Sequence, residues 1–347
     1  MAAPARPPAA VLEAWGFGEA ASVLPVTTGL INLTYRVEEG ARQVALQRLH
    51  PIFDARVNQD IDAITAHLEA EGMRTPRPVR TTTGELSLEA EDGSWRALGW
   101  IDGVVHERVT STSLASEGGR LAGRFHAHLA PLEHDFHFQR PDAHDFARHL
   151  AGLSEALAKH RVHAAHAEVK ALATQIVAHA LQLPRVPALP VRIIHGDLKI
   201  TNLLFDDLGA GVAVIDLDTL AHGRMDVELG DAMRSWCNPG GEDQVDAEFD
   251  PELFAAALAG FHEGSLGLLS QAEREAVVSA TERIALELSS RFARDTLEEA
   301  RFGWNEARFE SRSAHNLHRA RGQLSLARSI RDQREVLERL ARHALND

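Results

Sequence analysis

Apolar and polar positions alternate in short runs over the first hundred residues of the chain and then change to a helical spacing that persists to its end. Ala9 to Trp15 is predicted as a short helix, with Val11, Leu12 and Trp15 on one face and Gly16 ending it. Val23-Leu24-Pro25-Val26 reads as a first strand, and its proline suits a sheet edge. A turn at Thr27-Thr28-Gly29 leads to a second strand, Ile31 to Val37, and Glu39-Gly40 makes a hairpin into Gln43-Val44-Ala45-Leu46. Ile61, Ile64 and Leu68 recur at helical spacing, which predicts a helix over Val57 to Glu71, ended by Gly72. Pro76 and Pro78 keep the next segment extended. Glu85–Ala90 and Trp95–Trp100 are two further strands, leading into Ile101-Asp102-Gly103.

Beyond that point helices dominate: Leu114 to Leu129, Phe146 to Leu183, Pro251 to Leu268 and Gln271 to Ala300. A last helix, about His315 to Ala344, sets Leu317, Leu324, Ile330, Leu337 and Leu340 along one stripe. Leu183 to Val191, rich in proline, is a linker. Three strands, a helix and two strands, followed by helices, is the order of a small nucleotide-clamping lobe joined to a larger helical one. The expected fold is therefore α+β, with lobes at 1–101 and 102–347 and a hinge near 98–103.

The chemistry concentrates between Val191 and Ser235. An apolar run, Val191-Arg192-Ile193-Ile194, delivers His195-Gly196-Asp197-Leu198-Lys199. Leu203-Leu204-Phe205 and Val212-Ala213-Val214-Ile215 form a second apolar pair, followed by Asp216-Leu217-Asp218. Phosphoryl transfer from MgATP needs a carboxylate to accept the attacking hydroxyl's proton, ligands for Mg²⁺ and cations for the phosphates. Asp197 suits the first role, Asn202 and Asp216 the second, and Lys199 the third. The spacing from Asp197 to Asn202 matches a protein-kinase catalytic loop, and carboxylate and amide oxygens are what a hard Mg²⁺ ion prefers. Asp218 reads equally as a second metal ligand or a substrate contact, and His195 as a hydrogen-bonding partner of the loop.

Composition narrows the class. A net charge of −14 repels nucleic acid and anionic membrane surfaces. Cys237 is the single cysteine, which leaves no intramolecular disulfide and no paired-cysteine metal site. Met1 to Ala10 carries no apolar run of signal-peptide type, and no membrane-length apolar stretch follows, so a cytoplasmic setting is expected. The 19 histidines include the close pairs His126/His128, His134/His137 and His163/His166, none of them in a His-Glu-x-x-His pattern, and these read as solvated pairs. Arg291 and Asp295, one helical turn apart, are either a sugar clamp or a surface ion pair. Lysine is scarce: Lys159, Lys170 and Lys199 are the only ones among 36 basic residues, and none lies in the first lobe.

The His-Gly-Asp loop followed by the Ile215-Asp216 strand end resembles the aminoglycoside phosphotransferase and choline kinase superfamily. Gly29-Leu30-Ile31-Asn32-Leu33-Thr34-Tyr35, Leu46-Gln47-Arg48, Ile215-Asp216-Leu217-Asp218-Thr219 and His315-Asn316-Leu317 are similar to N-acetylhexosamine 1-kinases within it. The resemblance implies a two-lobed kinase-like fold, ATP and Mg²⁺ as cofactors, and phosphorylation of a small sugar hydroxyl, with the anomeric hydroxyl of an N-acetylhexosamine as acceptor. It makes Thr27, Thr28, Gly29, Asn32, Gln47 and Trp100 the nucleotide-binding candidates, with adenine against the segment near Trp100. Gln47 stands where the third strand of such a lobe usually supplies a lysine, and Gly29 is alone in its loop. Two alternatives stay open: a kinase of the same fold acting on an aminoglycoside, choline or homoserine, and a catalytically silent nucleotide-binding protein.

Overall fold

Alternation in the first lobe builds one antiparallel sheet. The structure, a computed structural model, describes residues 6–26, 31–140 and 144–346; the nucleotide-binding candidates Thr27, Thr28 and Gly29 lie outside them. Helix α1 (Ala9–Ala14) precedes β1 (Ser22–Val26), β2 (Leu33–Glu39), β3 (Arg42–Arg48), helix α2 (Val57–Ala70), β4 (Pro78–Val79), β5 (Leu88–Ala90) and β6 (Gly93–Gly99). The strands run in the order β1-β2-β3-β6-β4, with β5 also paired to β6. Because side chains alternate across a strand, one face carries Tyr35, Val37, Val44, Leu46, Trp95 and Ala97 into a core shared with Val11, Leu12, Trp15 and Phe17. The opposite face carries Thr34, Gln47 and Arg96, which lie side by side because Thr34 registers with Gln47 and Gln47 with Arg96.

The second part contains β7 (Val104–Val105), α3 (Thr112–Leu129), α4 (Phe146–Lys159), α5 (His166–Ala180), β8 (Arg192–Ile194), β9 (Leu203–Phe205), β10 (Gly211–Val214), β11 (Ala221–Gly223), α6 (Met225–Trp236), α7 (Pro251–Ser265), α8 (Gln271–Glu298), α9 (Arg312–Asp332) and α10 (Arg334–Asn346). The fold is α+β, a β-rich region joined to a larger helical part. The apolar face of α2 (Val57, Ile61, Ile64, Leu68) belongs to the core of that larger part, so α2 bridges the two. Helices α3 and α7 pack backbone to backbone. A Cβ on Gly119 would lie 2.1 Å from the Ala257 carbonyl oxygen, and one on Gly260 would lie 2.0 Å from that of Ser116. No helix among the described residues is long and apolar enough to cross a membrane.

Three helical regions differ from the sequence expectation. The span from Phe146 to Leu183 is two helices, because local bonds replace the helical ladder at the break: Ala165 N–H donates to His163 Nδ1 and Arg161 Nε to the Ala158 carbonyl. The C-terminal span is likewise two helices, parted at Gln333, whose Nε2 donates to the Phe249 carbonyl and to Ser329 Oγ. Helix α6 was not anticipated at all. Its inner side holds Asp226, Glu228, Asp231 and Arg234, all buried, so polar residues mask its period.

Candidate active site

Strand β8 and the short β11 pair antiparallel, Ile194 opposite Ala221, and the catalytic-loop candidates leave the end of β8. Gly196 turns the chain at φ +80°, and a Cβ there would sit 2.6 Å from the Thr219 carbonyl oxygen, so only glycine fits. His195 is fully buried. Its Nε2 lies 2.9 Å from the Ile215 carbonyl and its Nδ1 accepts from Asp197 N–H at 3.2 Å. That pattern corresponds to one neutral tautomer, protonated at Nε2, which gives His195 a loop-holding role. Glu228 of α6 braces the same turn, its two oxygens accepting from His195 N–H (2.8 Å) and Gly196 N–H (2.9 Å). Burial would raise the Glu228 carboxyl, but His126 and the Gly196 amide hold it below its ordinary value.

Asp197 Oδ2 accepts from Lys199 Nζ at 2.7 Å, and Asn202 Nδ2 donates to the Asp197 backbone carbonyl at 2.8 Å. Burial alone would lower the Lys199 ammonium, yet Asp197 and then Asp216 hold it above its usual value. Asn202 ends a single 3₁₀ turn, Ile200–Asn202, and its carbonyl accepts from Ile215 N–H at 2.9 Å. This bond brings the end of β10 beside the loop, and Asp216 with it. Asp216 adopts φ 62°, ψ 54°, a left-handed conformation uncommon outside glycine. Its carboxyl is pushed up to about 6, by burial first and then by the charge of Asp218, against the pull of Lys199. The Asp216 carboxylate and Asn202 Oδ1 have no hydrogen-bond partner among the described residues. These two oxygens suit a hard divalent cation.

Asp218 is placed differently from a metal ligand. It is fully buried and bonded across the lobes: Arg96 Nη1 donates to Oδ1, Arg96 Nη2 to Oδ2 at 2.9 Å, and Asn32 Nδ2 to Oδ2 at 2.6 Å. With three donors on it, the carboxylate belongs to a link between the lobes. Gln47 and Asn32, expected at the nucleotide, join the same link. Gln47 Oε1 accepts from Arg96 Nε and Nη2, while Asn32 Oδ1 accepts from His50 N–H. The sequence reading missed Arg96, although its register beside Gln47 is implied once the strands are paired. Trp100, immediately after β6, is half-buried, with the Arg36 guanidinium over its ring at 4.9 Å.

The clamp of Arg291 and Asp295 is divided. Asp295 is wholly buried and accepts from the backbone N–H groups of Ala300, Arg301 and Phe302 and from Asn316 Nδ2. It closes the C-terminal end of α8, so it cannot form the surface pair or reach a substrate. Arg291 pairs with Glu287 one turn earlier, at 3.5 Å, and its charge acts on Arg140. Arg140 is a second residue that sequence alone did not single out. It is half-buried and has no hydrogen bond or ion pair with any described residue. Its guanidinium is lowered by burial and then by Arg291, with Asp197 opposing. Gln139 beside it is fixed to the catalytic side of the fold, since its Oε1 accepts from His222 N–H of β11 at 2.8 Å.

A β-rich region joined to a helical one, with a His-Gly-Asp turn anchored on a buried histidine beside a pair of free oxygen donors, defines a kinase-like phosphotransferase. Residues 22–309 match the phosphotransferase enzyme family, APH, and the chain belongs to it. Its fold is similar to that of an aminoglycoside phosphotransferase from Alicyclobacillus acidocaldarius, at 14% identity and TM-score 0.62, covering 96% of this chain and 98% of that one. It is also similar to a microcompartment-associated aminopropanol kinase, at 16% identity and TM-score 0.62, covering 95% and 98%. An amicoumacin kinase, solved with AMP-PNP, Ca²⁺ and Ami, matches at 14% identity and TM-score 0.60, covering 88% of each chain.

Proposed function

We propose that this phosphotransferase transfers the γ-phosphoryl of MgATP to a hydroxyl of a small neutral sugar, with the anomeric hydroxyl of an N-acetylhexosamine as the acceptor. ATP and a divalent ion are also what the related structures suggest, one of them holding AMP-PNP and Ca²⁺. Asp216 and Asn202 would hold the metal, which when bound supplies charge neutralisation for the phosphates. Asp197 accepts the hydroxyl proton on its remaining oxygen, and Lys199 fixes that carboxylate while its ammonium faces the transferring group. The nucleotide sits between 1–101 and 102–347, its adenine near Trp100.

The observation that carries the sugar reading is the charge balance around Asp197. Asp231 is matched by Arg234, with two hydrogen bonds at 2.9–3.0 Å. Glu287 is matched by Arg291 at 3.5 Å and His144 at 3.3 Å. Among the described residues Arg140 is then a cation without a carboxylate partner, and neither Asp231 nor Glu287 is left without a cation to attract an ammonium substrate. Guanidinium donors instead suit hydroxyl and acetamide oxygens. An anomeric hydroxyl, more acidic than other sugar hydroxyls because of the ring oxygen, also asks less of a carboxylate base.

The test is ADP release measured over N-acetylhexosamines, hexoses, amino alcohols and aminoglycosides, with phosphorus NMR of the product and a methyl glycoside as blocked acceptor. Neutral sugars should be turned over, the methyl glycoside should not, and Asp197→Asn should lose about 10²–10⁴ in rate with MgATP affinity kept. Turnover confined to amines would overturn the sugar reading. Equal rates on the methyl glycoside would move the acceptor to another hydroxyl.

A further inference from the structure

His134 and His137, a spaced pair with no evident purpose in the sequence, converge on a buried carboxylate of the other lobe. Asp60, in the first turn of α2, is 1% exposed. Its Oδ1 lies 2.9 Å from His134 Nε2, 2.9 Å from His137 Nδ1 and 2.9 Å from the backbone N of His137. Its Oδ2 accepts from Phe138 N–H at 3.0 Å. The Oδ1 and the two ring nitrogens all lie within 4.8 Å of one another.

Hydrogen bonding alone fits this arrangement poorly. A carboxylate oxygen has two lone-pair directions, and the His137 amide fills one of them. Two ring N–H groups then compete for the other, although each ring stands at full hydrogen-bonding distance. A single cation among the three atoms removes the conflict, because the ring nitrogens then offer lone pairs in place of protons. Tetrahedral bonds of about 2.0–2.1 Å set ligand atoms roughly 3.3 Å apart, so each ring nitrogen, now 2.9 Å from Asp60 Oδ1, needs to draw away from that oxygen by only a few tenths of an ångström.

The surroundings hold the rings in place. The His134 carbonyl lies 3.0 Å from His222 Nε2, and Phe136 packs edge-on between the rings of His134 and His222, at 4.9 and 5.1 Å. Phe138 N–H fixes the second carboxylate oxygen. His134 is largely buried whereas His137 is about half exposed, which leaves a side open to solvent for a fourth ligand and for metal to arrive.

We propose that Asp60, His134 and His137 form a divalent transition-metal site of zinc type, completed by water, that staples α2 to the segment carrying Gln139 and Arg140. Two imidazoles and one carboxylate select zinc-like ions over Mg²⁺, which prefers oxygen. The site is thereby distinct from the pair Asp216 and Asn202. Its location gives it a consequence. Asn58, two residues before Asp60 on α2, accepts from Arg96, so the staple would fix the helix that contacts the inter-lobe link.

The experiment uses the full chain, stripped with chelator and titrated with Zn²⁺ and Co²⁺. The expected result is one tight equivalent, visible Co²⁺ bands of a four-coordinate nitrogen and oxygen site, and a melting temperature raised by Zn²⁺. His137→Ala changes a half-exposed residue, so the chelator-treated protein should melt as the parent does, while Zn²⁺ affinity falls at least about tenfold, within the range that metal-site changes produce. His163→Ala, in another histidine pair, should leave binding intact. Absence of a tight equivalent overturns the proposal. So does a Co²⁺ spectrum unchanged in His137→Ala, which would put the metal elsewhere.

Discussion

A carboxylate in a left-handed backbone, partnerless and beside a second carboxylate, is stable only in company, and this makes Asp216 the most informative single residue. Its carboxyl is raised from 3.8 to about 6, so without a cation the folded state favours the protonated acid. The ionised form therefore costs stability: nothing below the unfolded value near 4, and the full amount above about 6. Asp216→Asn removes that charge, and asparagine tolerates the left-handed region better than most residues. The nucleotide-free variant should melt higher than the parent at pH 8, with the difference vanishing near pH 4. Mg²⁺-dependent nucleotide binding, followed by calorimetry, should be lost at the same time. A lower melt at pH 8 would mean that the carboxylate already has a stabilising partner.

At the scale of elements, the contact between α3 and α7 supports the site from behind, since α3 also touches β10 through Leu121 and Gly211. Gly119→Ala should cost about 1–3 kcal/mol or more, the usual penalty for overpacking, because the obstacle is the carbonyl of Ala257. Gly152→Ala on α4 meets only the movable end of Arg294, and alanine favours a helix over glycine, so its melt should stay near the parent's or rise; equal losses in both would show that close approach to a backbone carbonyl does not set the effect. Elements with clean periods were legible in the sequence: β2 and β3 from alternation, and α2 from Ile61, Ile64 and Leu68. So was the clustering of Asp197, Lys199, Asn202 and Asp216, because the loop, its 3₁₀ turn and β10 are close in sequence. Helix α6 was not, since Asp226, Glu228, Asp231 and Arg234 occupy positions where a core helix would show leucines. Asp295 misled for a related reason. Spacing of four residues shows which helical face two side chains share, but not that one of them turns to cap the chain beyond the helix end.

At the scale of the whole molecule, the lobes meet through a buried ion pair rather than through a first-lobe lysine. Arg96 uses its donors on Asp218, Gln47 and Asn58, and Asp218 sits two residues beyond Asp216, so the link fixes the strand end that carries the free carboxylate. Two roles are separable. A buried pair is a weak source of net stability, yet removing one partner strands the other's charge at a cost of roughly 3–5 kcal/mol. Arg96→Met and Asp218→Leu should each show that loss, whereas the double variant, with both charges gone, should recover much of it. Recovery will be partial because Asn32 and Gln47 lose their partners. If the link orients Asp216, the double variant should fold cooperatively and still bind Mg²⁺-nucleotide weakly and turn over slowly. A double variant with parental stability, nucleotide affinity and turnover would reduce Arg96 and Asp218 to packing. Two singles whose losses simply add in the double would show that they do not act as a pair.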